Sequence, residues 1–206
     1  MKSIQVFFLF MALSFIVFSC QTLERETDRS FDVDYSSVHD EAKIFCSAHQ
    51  MNEQIYMLVD MNIHSGLNRF FVVDLNSHDL LDQGLVTHGA CNVYEPHPDK
   101  YKTPKFSNRD GSHCSSLGKY KIGKRDYSGW GIKIKYWLQG LEPTNSNAVK
   151  RVVVLHSWEA VENNEIYPKY SPLSWGCPAV SDAFMRRLDE RLQHVDKPVL
   201  LWIVEH

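Results

Sequence analysis

A histidine and a cysteine that together could carry out acyl transfer lie in the last third of the chain. His156 follows an apolar run at 151–155, and Cys177 lies in Ser174-Trp175-Gly176-Cys177-Pro178. A thiol attacks carbonyl carbon as the thiolate, and at its ordinary pKa of roughly 8.5 only about 3% is ionised at pH 7. An imidazole within hydrogen-bond reach takes that proton and later returns it to a leaving amine. This pattern predicts Cys177 as a nucleophile and His156 as its general base and acid.

The glycine before the cysteine fits the same chemistry. Gly176 has no Cβ, so the backbone here can approach a substrate carbonyl closely. The N–H groups of Gly176 and Cys177 could then stabilise a developing oxyanion, at roughly 3 kcal/mol per donor. From the residues alone one alternative stays open, in which Cys177 is a buried thiol or half of a disulfide and His156 is a core histidine.

The elements that must position these residues are mostly strands. β-rich runs at 56–60 and 69–75 flank a loop, which indicates a hairpin, and 85–88 is a candidate third strand. Residues 132–139 alternate with a period of two, whereas 151–155 and 200–204 are continuous apolar runs typical of buried strands. One strong helix is predicted over 182–194, capped by Ser181, since Phe184, Leu188, Leu192 and Val195 recur at helical spacing. We therefore expect a mainly β fold, a sandwich or open barrel, with one C-terminal helix next to Cys177.

Composition narrows the class of protein. The 206 residues carry 22 Lys plus Arg and 25 Asp plus Glu, a formal charge of −3. A nucleic-acid binder would be basic, so no nucleic-acid partner is expected. Apolar residues make up 44% of the chain, which excludes disorder for most of it and leaves a globular domain with a sizeable core.

The N-terminal residues resemble an export signal. Lys2 precedes a nearly continuous apolar stretch at 4–18, which is short for a membrane span and has the length of a signal-peptide core. Val17-Phe18-Ser19-Cys20 is similar to a bacterial lipobox, with lipid on the sulfur of Cys20. We predict a lipoprotein signal peptide at 1–19, a polar tether at 20–40 and a catalytic domain at 41–206. The domain would then be anchored to a membrane by lipid and lie in the cell envelope, facing the periplasm.

The other cysteines allow several states. If Cys20 carries lipid, four remain that could form two disulfides in any of three connectivities, or include a working thiol: Cys46, Cys91, Cys114 and Cys177. His88, Cys91, His113 and Cys114 suggest a zinc site, but the adjacent pair His113 and Cys114 fits one ion poorly, so no metal is expected. Whether Cys91 and Cys114 form a disulfide stays open.

A wider set of residues resembles a known family. His156, seventeen residues, and then Ser174-x-Gly176-Cys177 are similar to the catalytic signature of L,D-transpeptidases of the YkuD type, in the Ser-x-Gly-Cys-Pro variant of the murein branch. Further stretches fit that branch: 74–75, 86–89, 106–108, 115–118, 140–142 and 151–156. The resemblance runs from about residue 40 to the C-terminus and implies a YkuD-like β-sandwich or open barrel.

The resemblance also implies a role for each matching residue. Cys177 would attack the carbonyl of the position-3 diamino acid in a peptidoglycan tetrapeptide stem and expel D-alanine, with His156 as base and acid. Ser157 would hold the imidazole tautomer through its backbone carbonyl, and Ser174 and Gly176 would shape the catalytic turn and oxyanion site. No cofactor is implied. Seven residues are candidates for the substrate groove: Phe106, Ser107, Asn108, Ser115, Ser116, Trp175 and Arg151.

Two departures from the family pattern leave the reaction class intact. Trp175 stands where the family usually has histidine, and Pro178-Ala179 replaces an apolar residue followed by Asn or Arg. The acyl group would pass to an amine, giving a 3→3 cross-link, or to water, which is L,D-carboxypeptidase activity. A third hypothesis is a peptidoglycan-binding lipoprotein that keeps the fold without turnover.

Overall fold

A computed structural model describes residues 33–94 and 97–206. The predicted signal peptide at 1–19, the lipidation site Cys20 and the first part of the predicted tether lie outside the described residues. Within the described ranges, no helix combines the length and the apolar character needed to cross a bilayer.

Eight strands form one sheet. The elements in chain order are α1 (Ser36–Ala48), β1 (Ile55–Asp60), β2 (Phe70–Asp74), β3 (Leu80–Gly84), β4 (Gly118–Tyr127), β5 (Ile134–Gly140), β6 (Val154–Ser157), β7 (Ala179–Val180), α2 (Asp182–Gln193) and β8 (Leu200–Val204). The strand order is β3-β2-β1-β8-β4-β5-β6-β7. Val86, just after β3, bridges to Val180 in β7, so the two ends of the sheet meet. The predicted mainly β, open-barrel fold is confirmed.

The two faces of the sheet bury separate apolar clusters. Met57 and Val59 of β1 join the cluster that contains Phe184 of α2, whereas Tyr56 and Leu58 join the cluster packed against α1. Successive side chains of a strand point to opposite faces, so a strand covered on both sides is apolar throughout. This explains why β1 and β2 show no polar alternation in the sequence.

Helix α2 agrees with its prediction, and its N-cap residue Ser181 lies four residues after Cys177. The Ser181 side chain caps it by accepting a hydrogen bond from the Phe184 N–H at 3.2 Å. The helix ends at Gln193, one residue before the predicted end at 194.

Helix α1 was not predicted, and it begins inside the segment assigned to the tether. Val38, Ala42 and Cys46 recur every four residues and are buried against the sheet. Tyr35, only 2% exposed, donates a hydrogen bond to Asp60 Oδ2 at 2.7 Å. Folded structure is therefore present ahead of residue 41, and residues 33–94 and 97–206 contain two helices where the sequence predicted one.

Two predicted strands lie elsewhere along the chain. Within the predicted strand at 85–88, Val86 forms an isolated bridge to Val180, and the third strand of the chain is Leu80–Gly84 instead. In the run at 151–155, Arg151 and Val152 form a turn, and Val152 has a φ of +57°. The turn closes through the Val153 N–H, which donates to the Ala148 carbonyl at 2.9 Å. His156 consequently lies within β6 instead of following it.

Candidate active site

Parallel pairing of β6 with β7 brings the predicted nucleophile and base to one cavity. His156 is in register with Ala179, which lies two residues after Cys177. The cavity has a volume of about 630 Å³, and its lining includes both side chains: Asp110, Gly111, His113, Trp130, Lys150, Arg151, Val152, His156, Trp158, Leu173, Ser174, Trp175, Cys177 and Ala179. The two groups needed for acyl transfer thus share one solvent-accessible space.

The ring of His156 is oriented by the next residue. Its Nδ1 lies 2.9 Å from the Ser157 carbonyl oxygen, an acceptor, so Nδ1 carries the proton and Nε2 keeps a lone pair. Burial lowers the pKa of His156 below its usual value, against the hydrogen bond to Ser157, and the charge of Lys135 lowers it further. The resting imidazole is therefore neutral and able to accept a proton.

Cys177 is an unpaired, half-buried cysteine. Its thiol donates a hydrogen bond to the Val152 carbonyl oxygen at 3.6 Å. Burial raises the thiol pKa, opposed by a hydrogen bond from the Val154 backbone and by the positive charges of Arg151 and Lys135. The resting pair is a neutral thiol and a neutral imidazole.

The turn before Cys177 requires glycine. Gly176 has a φ of +104°, and a Cβ there would lie 2.5 Å from the Cys114 carbonyl oxygen. Its N–H donates to Ser174 Oγ at 3.2 Å, and that hydroxyl donates to the Cys177 carbonyl at 2.7 Å. Ser174 thus holds the turn through two hydrogen bonds, and one of them engages the Gly176 N–H. The Cys177 N–H forms no hydrogen bond among the described residues and is the other backbone candidate for an oxyanion donor.

Thr87 is a supporting residue to which the sequence assigned no role. Its hydroxyl donates to the Cys177 carbonyl at 3.2 Å and accepts from the Ala179 N–H at 3.1 Å. Because Ser174 binds the same carbonyl, two hydroxyl groups fix the backbone of the nucleophile. Thr87 falls within one of the stretches that matched the family, which was the signal available.

Arg151 lines the cavity and also holds the protein together beside it. Its two terminal nitrogens donate to four oxygens of the protein: Ser107 O at 2.9 Å, Ser116 Oγ at 2.5 Å, Ser112 Oγ at 3.4 Å and Cys114 O. Arg151 thus ties the turn before β6 to the 107–116 loop, and its role in binding substrate stays a prediction.

A family model described as the L,D-transpeptidase catalytic domain matches residues 29–201. The chain belongs to the L,D-transpeptidase family. The match begins before α1, in agreement with a folded domain that starts ahead of residue 41.

Three solved structures are similar to this L,D-transpeptidase domain at low identity. An L,D-transpeptidase (residues 123–326) from Xylanimonas cellulosilytica is 10% identical, with 72% of this chain and 59% of that chain covered and a TM-score of 0.42. Bd1075 from Bdellovibrio bacteriovorus is 13% identical, with 74% and 48% covered and a TM-score of 0.45. The helical cell shape determining protein Pgp2 from Campylobacter jejuni is 12% identical, with 73% and 48% covered and a TM-score of 0.45. The chain spans between 48% and 59% of these structures. No curated protein matches the chain.

Most of the predicted groove residues of the transpeptidase lie outside the cavity. Phe106 bridges to Ser115, and Asn108 Nδ2 donates to the Pro143 carbonyl at 2.8 Å. Ser107 and Ser116 provide acceptors for Arg151. These five residues hold the 105–116 segment in place, and the segment contributes Asp110, Gly111 and His113 to the cavity instead. Contact of these five side chains with substrate stays a prediction.

Trp175 is the predicted groove residue that does line the cavity without being tied down by hydrogen bonds. Its ring is 75% exposed and stacks on His113, with centroids 4.7 Å apart and planes 4° from parallel. A large apolar ring held in a fixed orientation at the mouth of a cavity is suited to contact a ligand.

The candidate zinc ligands have other partners. Cys91 and Cys114 form a disulfide. The Nδ1 of His88 lies 2.9 Å from Arg69 Nη2, and its Nε2 lies 2.6 Å from the Lys100 carbonyl. Over residues 33–94 and 97–206, no group of three His, Cys, Asp or Glu side chains is arranged to hold a metal ion. The question that the sequence left open at Cys91 and Cys114 is answered by the disulfide.

Proposed function

We propose that this protein is a cell-wall L,D-transpeptidase with Cys177 as nucleophile and His156 as general base and acid. The observation that carries the proposal is that an unpaired thiol and an oriented, neutral imidazole line one cavity in a chain of this family. The substrate proposed from the family is a tetrapeptide stem of peptidoglycan, attacked at its position-3 carbonyl.

The proposed reaction has two halves. The Cys177 thiol gives its proton to His156 Nε2 while sulfur bonds to the carbonyl carbon, and the oxyanion accepts a hydrogen bond from the Cys177 N–H. The tetrahedral intermediate collapses, the C–N bond to D-alanine breaks, and the leaving amine takes the proton from His156. An acceptor amine then loses a proton to His156, attacks the thioester and releases the thiol.

An extracytoplasmic location is part of the proposal because the substrate lies outside the cytoplasm. The apolar stretch at 4–18 followed by Cys20 supports export and lipid attachment. We expect the protein in the membrane fraction, and we expect Cys20→Ser to move it to the soluble envelope fraction. Fractionation followed by immunoblotting measures this, and a membrane-bound Cys20→Ser protein would contradict the lipid anchor.

The decisive experiment is incubation of purified protein with a disaccharide-tetrapeptide, followed by chromatography and mass spectrometry. We expect release of D-alanine and 3→3 cross-linked dimers, and loss of both in Cys177→Ala. Cys46→Ala is the matched control, because Cys46 is also an unpaired cysteine but lies on α1, buried against the sheet and outside the cavity lining. Undiminished D-alanine release by Cys177→Ala would refute the proposal. Tripeptide without dimers would indicate carboxypeptidase activity, and binding without release would indicate a peptidoglycan-binding protein.

A further inference from the structure

The turn that precedes β6 contacts the nucleophile directly. Its Val152 supplies the carbonyl that accepts the Cys177 thiol at 3.6 Å. Val152 has a φ of +57°, a conformation that β-branched residues rarely adopt, and its side chain is 52% exposed. A residue in this conformation is kept there by its surroundings, so the groups that hold the turn also hold the acceptor of the thiol.

Arg151 is the strongest of these groups. It precedes Val152, its backbone N–H donates to the Asn147 carbonyl at 2.8 Å, and its guanidinium donates to Ser107, Ser112, Cys114 and Ser116. All four acceptors lie on the loop that carries Cys114. The side chain therefore joins the turn to that loop.

The Cys91–Cys114 disulfide holds the loop to which Arg151 is bound. The Cys91 N–H donates to the His113 carbonyl at 3.1 Å, so the two segments are joined by the backbone as well as by sulfur. The Cys114 carbonyl accepts from Arg151 and packs against Gly176, the residue before the nucleophile. One carbonyl thus contacts both the arginine and the catalytic turn.

We propose that Arg151 is a positioning residue that couples the Cys91–Cys114 disulfide to the catalytic thiol, so that the reactivity of Cys177 depends on both. The coupling has two routes, through Val152 to the sulfur and through the Cys114 carbonyl to Gly176. The inference rests on the proposed role of Cys177 as nucleophile. It assigns the disulfide a function in the active site beyond stabilising a surface loop.

Charge adds to this geometric role. The charge of Arg151 lowers the pKa of the Cys177 thiol, against the effect of burial. The other ionisable groups whose charges act on the thiol or on Arg151 are Lys135 on β5, Tyr120 on β4 and Asp110 on the loop, and His156 on β6 lines the same cavity. A substitution that removes the charge of Arg151 should therefore differ in its pH dependence from one that only disturbs its hydrogen bonds.

The test is the rate at which iodoacetamide alkylates Cys177, measured by mass spectrometry of the Cys177 peptide between pH 6 and pH 10. We expect Arg151→Gln to move the midpoint upward, because the positive charge is lost, and to lower the rate constant of the thiolate, fitted from the pH profile, about tenfold, because the turn is no longer held. Arg151→Lys keeps the charge and should restore the midpoint, while the thiolate rate constant and D-alanine release stay reduced, because lysine cannot reach four acceptors. Arg187→Gln is the matched control, since Arg187 on α2 pairs with Asp82 on β3, outside the cavity.

A double-mutant cycle tests the coupling to the disulfide. We expect Cys91→Ser/Cys114→Ser to lower the thiolate rate constant on the order of tenfold, and adding Arg151→Gln to lower it little more, because both changes break one connection. Additive effects of about a hundredfold, or a wild-type thiolate rate constant in Arg151→Gln, would overturn the inference. If the disulfide variant does not fold by circular dichroism, wild-type and Arg151→Gln proteins whose disulfide has been reduced under native conditions take its place in the cycle. Alkylation is independent of turnover. If the variants show these effects on alkylation but the wild-type protein releases no D-alanine, the proposed function is refuted and the coupling of the disulfide to the Cys177 thiol still stands.

Discussion

The imidazole of His156 is held by the backbone of its neighbour, with Nδ1 2.9 Å from the Ser157 carbonyl oxygen. Both residues belong to β6, so the strand that positions the base also supplies the group that fixes its tautomer. The side chain of Ser157 has a different task, since its hydroxyl accepts a hydrogen bond from the Ile132 N–H at 2.9 Å. A substitution of the Ser157 side chain can therefore separate the role of its hydroxyl from the role of its backbone carbonyl.

Replacement of the Ser157 hydroxyl should affect stability more than turnover. Ser157→Ala keeps the carbonyl that orients His156 but leaves the Ile132 N–H without its acceptor. We expect the free energy of unfolding to fall by about 1–3 kcal/mol, with kcat within about fivefold of wild type. His156→Gln should lower kcat by at least about a hundredfold, because the general base is lost. Urea unfolding and D-alanine release measure the two effects, and an equal loss of kcat in both variants would argue against orientation by the carbonyl.

The pH dependence of turnover and of Cys177 alkylation follows from the shifted pKa values of His156 and Cys177. Burial holds the pKa of His156 below its ordinary value of about 6.5 and raises that of Cys177. Because the base is lost only when the imidazole is protonated, kcat/KM should hold as pH falls from 7.5 to 6.5 and decline below that. Alkylation of Cys177 should still be rising at pH 8.5, because the thiolate forms late. A profile of D-alanine release against pH, together with NMR titration of His156, measures this. An alkylation plateau below pH 8.5 would indicate a resting thiolate–imidazolium pair instead.

Local signals in the sequence predicted the parts of the site that are local. The spacing of His156 and Cys177, the need for glycine at 176 and the cap at Ser181 depend on residues close in the chain. The role of Thr87 depends on contacts that span 90 and 92 residues, and the structural role of Arg151 depends on contacts that span 35 to 44 residues. No pattern within a single element reports such contacts, so these roles emerge only from the fold.

The errors in the predicted elements have similar causes. Residues 151–152 were assigned to a strand because they begin a run that contains three consecutive valines, but closure of the 147–153 turn outweighs that preference. Helix α1 was missed because its buried apolar face is narrow, formed by Val38, Ala42 and Cys46 with Phe45 packed beside them. Burial of this face against the sheet is what stabilises the helix.

Trp175 should act on substrate binding and not on the chemical step. Its ring is exposed and stacked on His113 at the cavity mouth, so Trp175→Ala removes a contact surface without opening the core. We expect KM for the tetrapeptide to rise about tenfold, equivalent to about 1.4 kcal/mol, with kcat and the melting temperature little changed. Tyr127→Ala is a suitable control, because Tyr127 is similarly exposed, at 70%, but lies at the end of β4 and does not line the cavity. A fall in kcat at constant KM would show that Trp175 orients the reacting groups instead.

Acid should destabilise the protein through His88, which is 1% exposed beneath the segment that pairs with the catalytic turn. Burial and the charge of Arg69 lower its pKa to about 4, and its nitrogens contact the Arg69 guanidinium and the Lys100 carbonyl. The unfolded chain binds a proton near pH 6.5 whereas the folded protein does not until about pH 4, so stability falls as pH decreases across that window and levels off below it. The difference corresponds to about 3 kcal/mol from this residue. Urea unfolding at pH 7, 5.5 and 4 measures this effect. His88→Gln should be less stable than wild type at pH 7 and should lose less stability on acidification, whereas the control His49→Gln should lose as much as wild type. If His88→Gln loses as much stability as wild type, another buried group carries the effect.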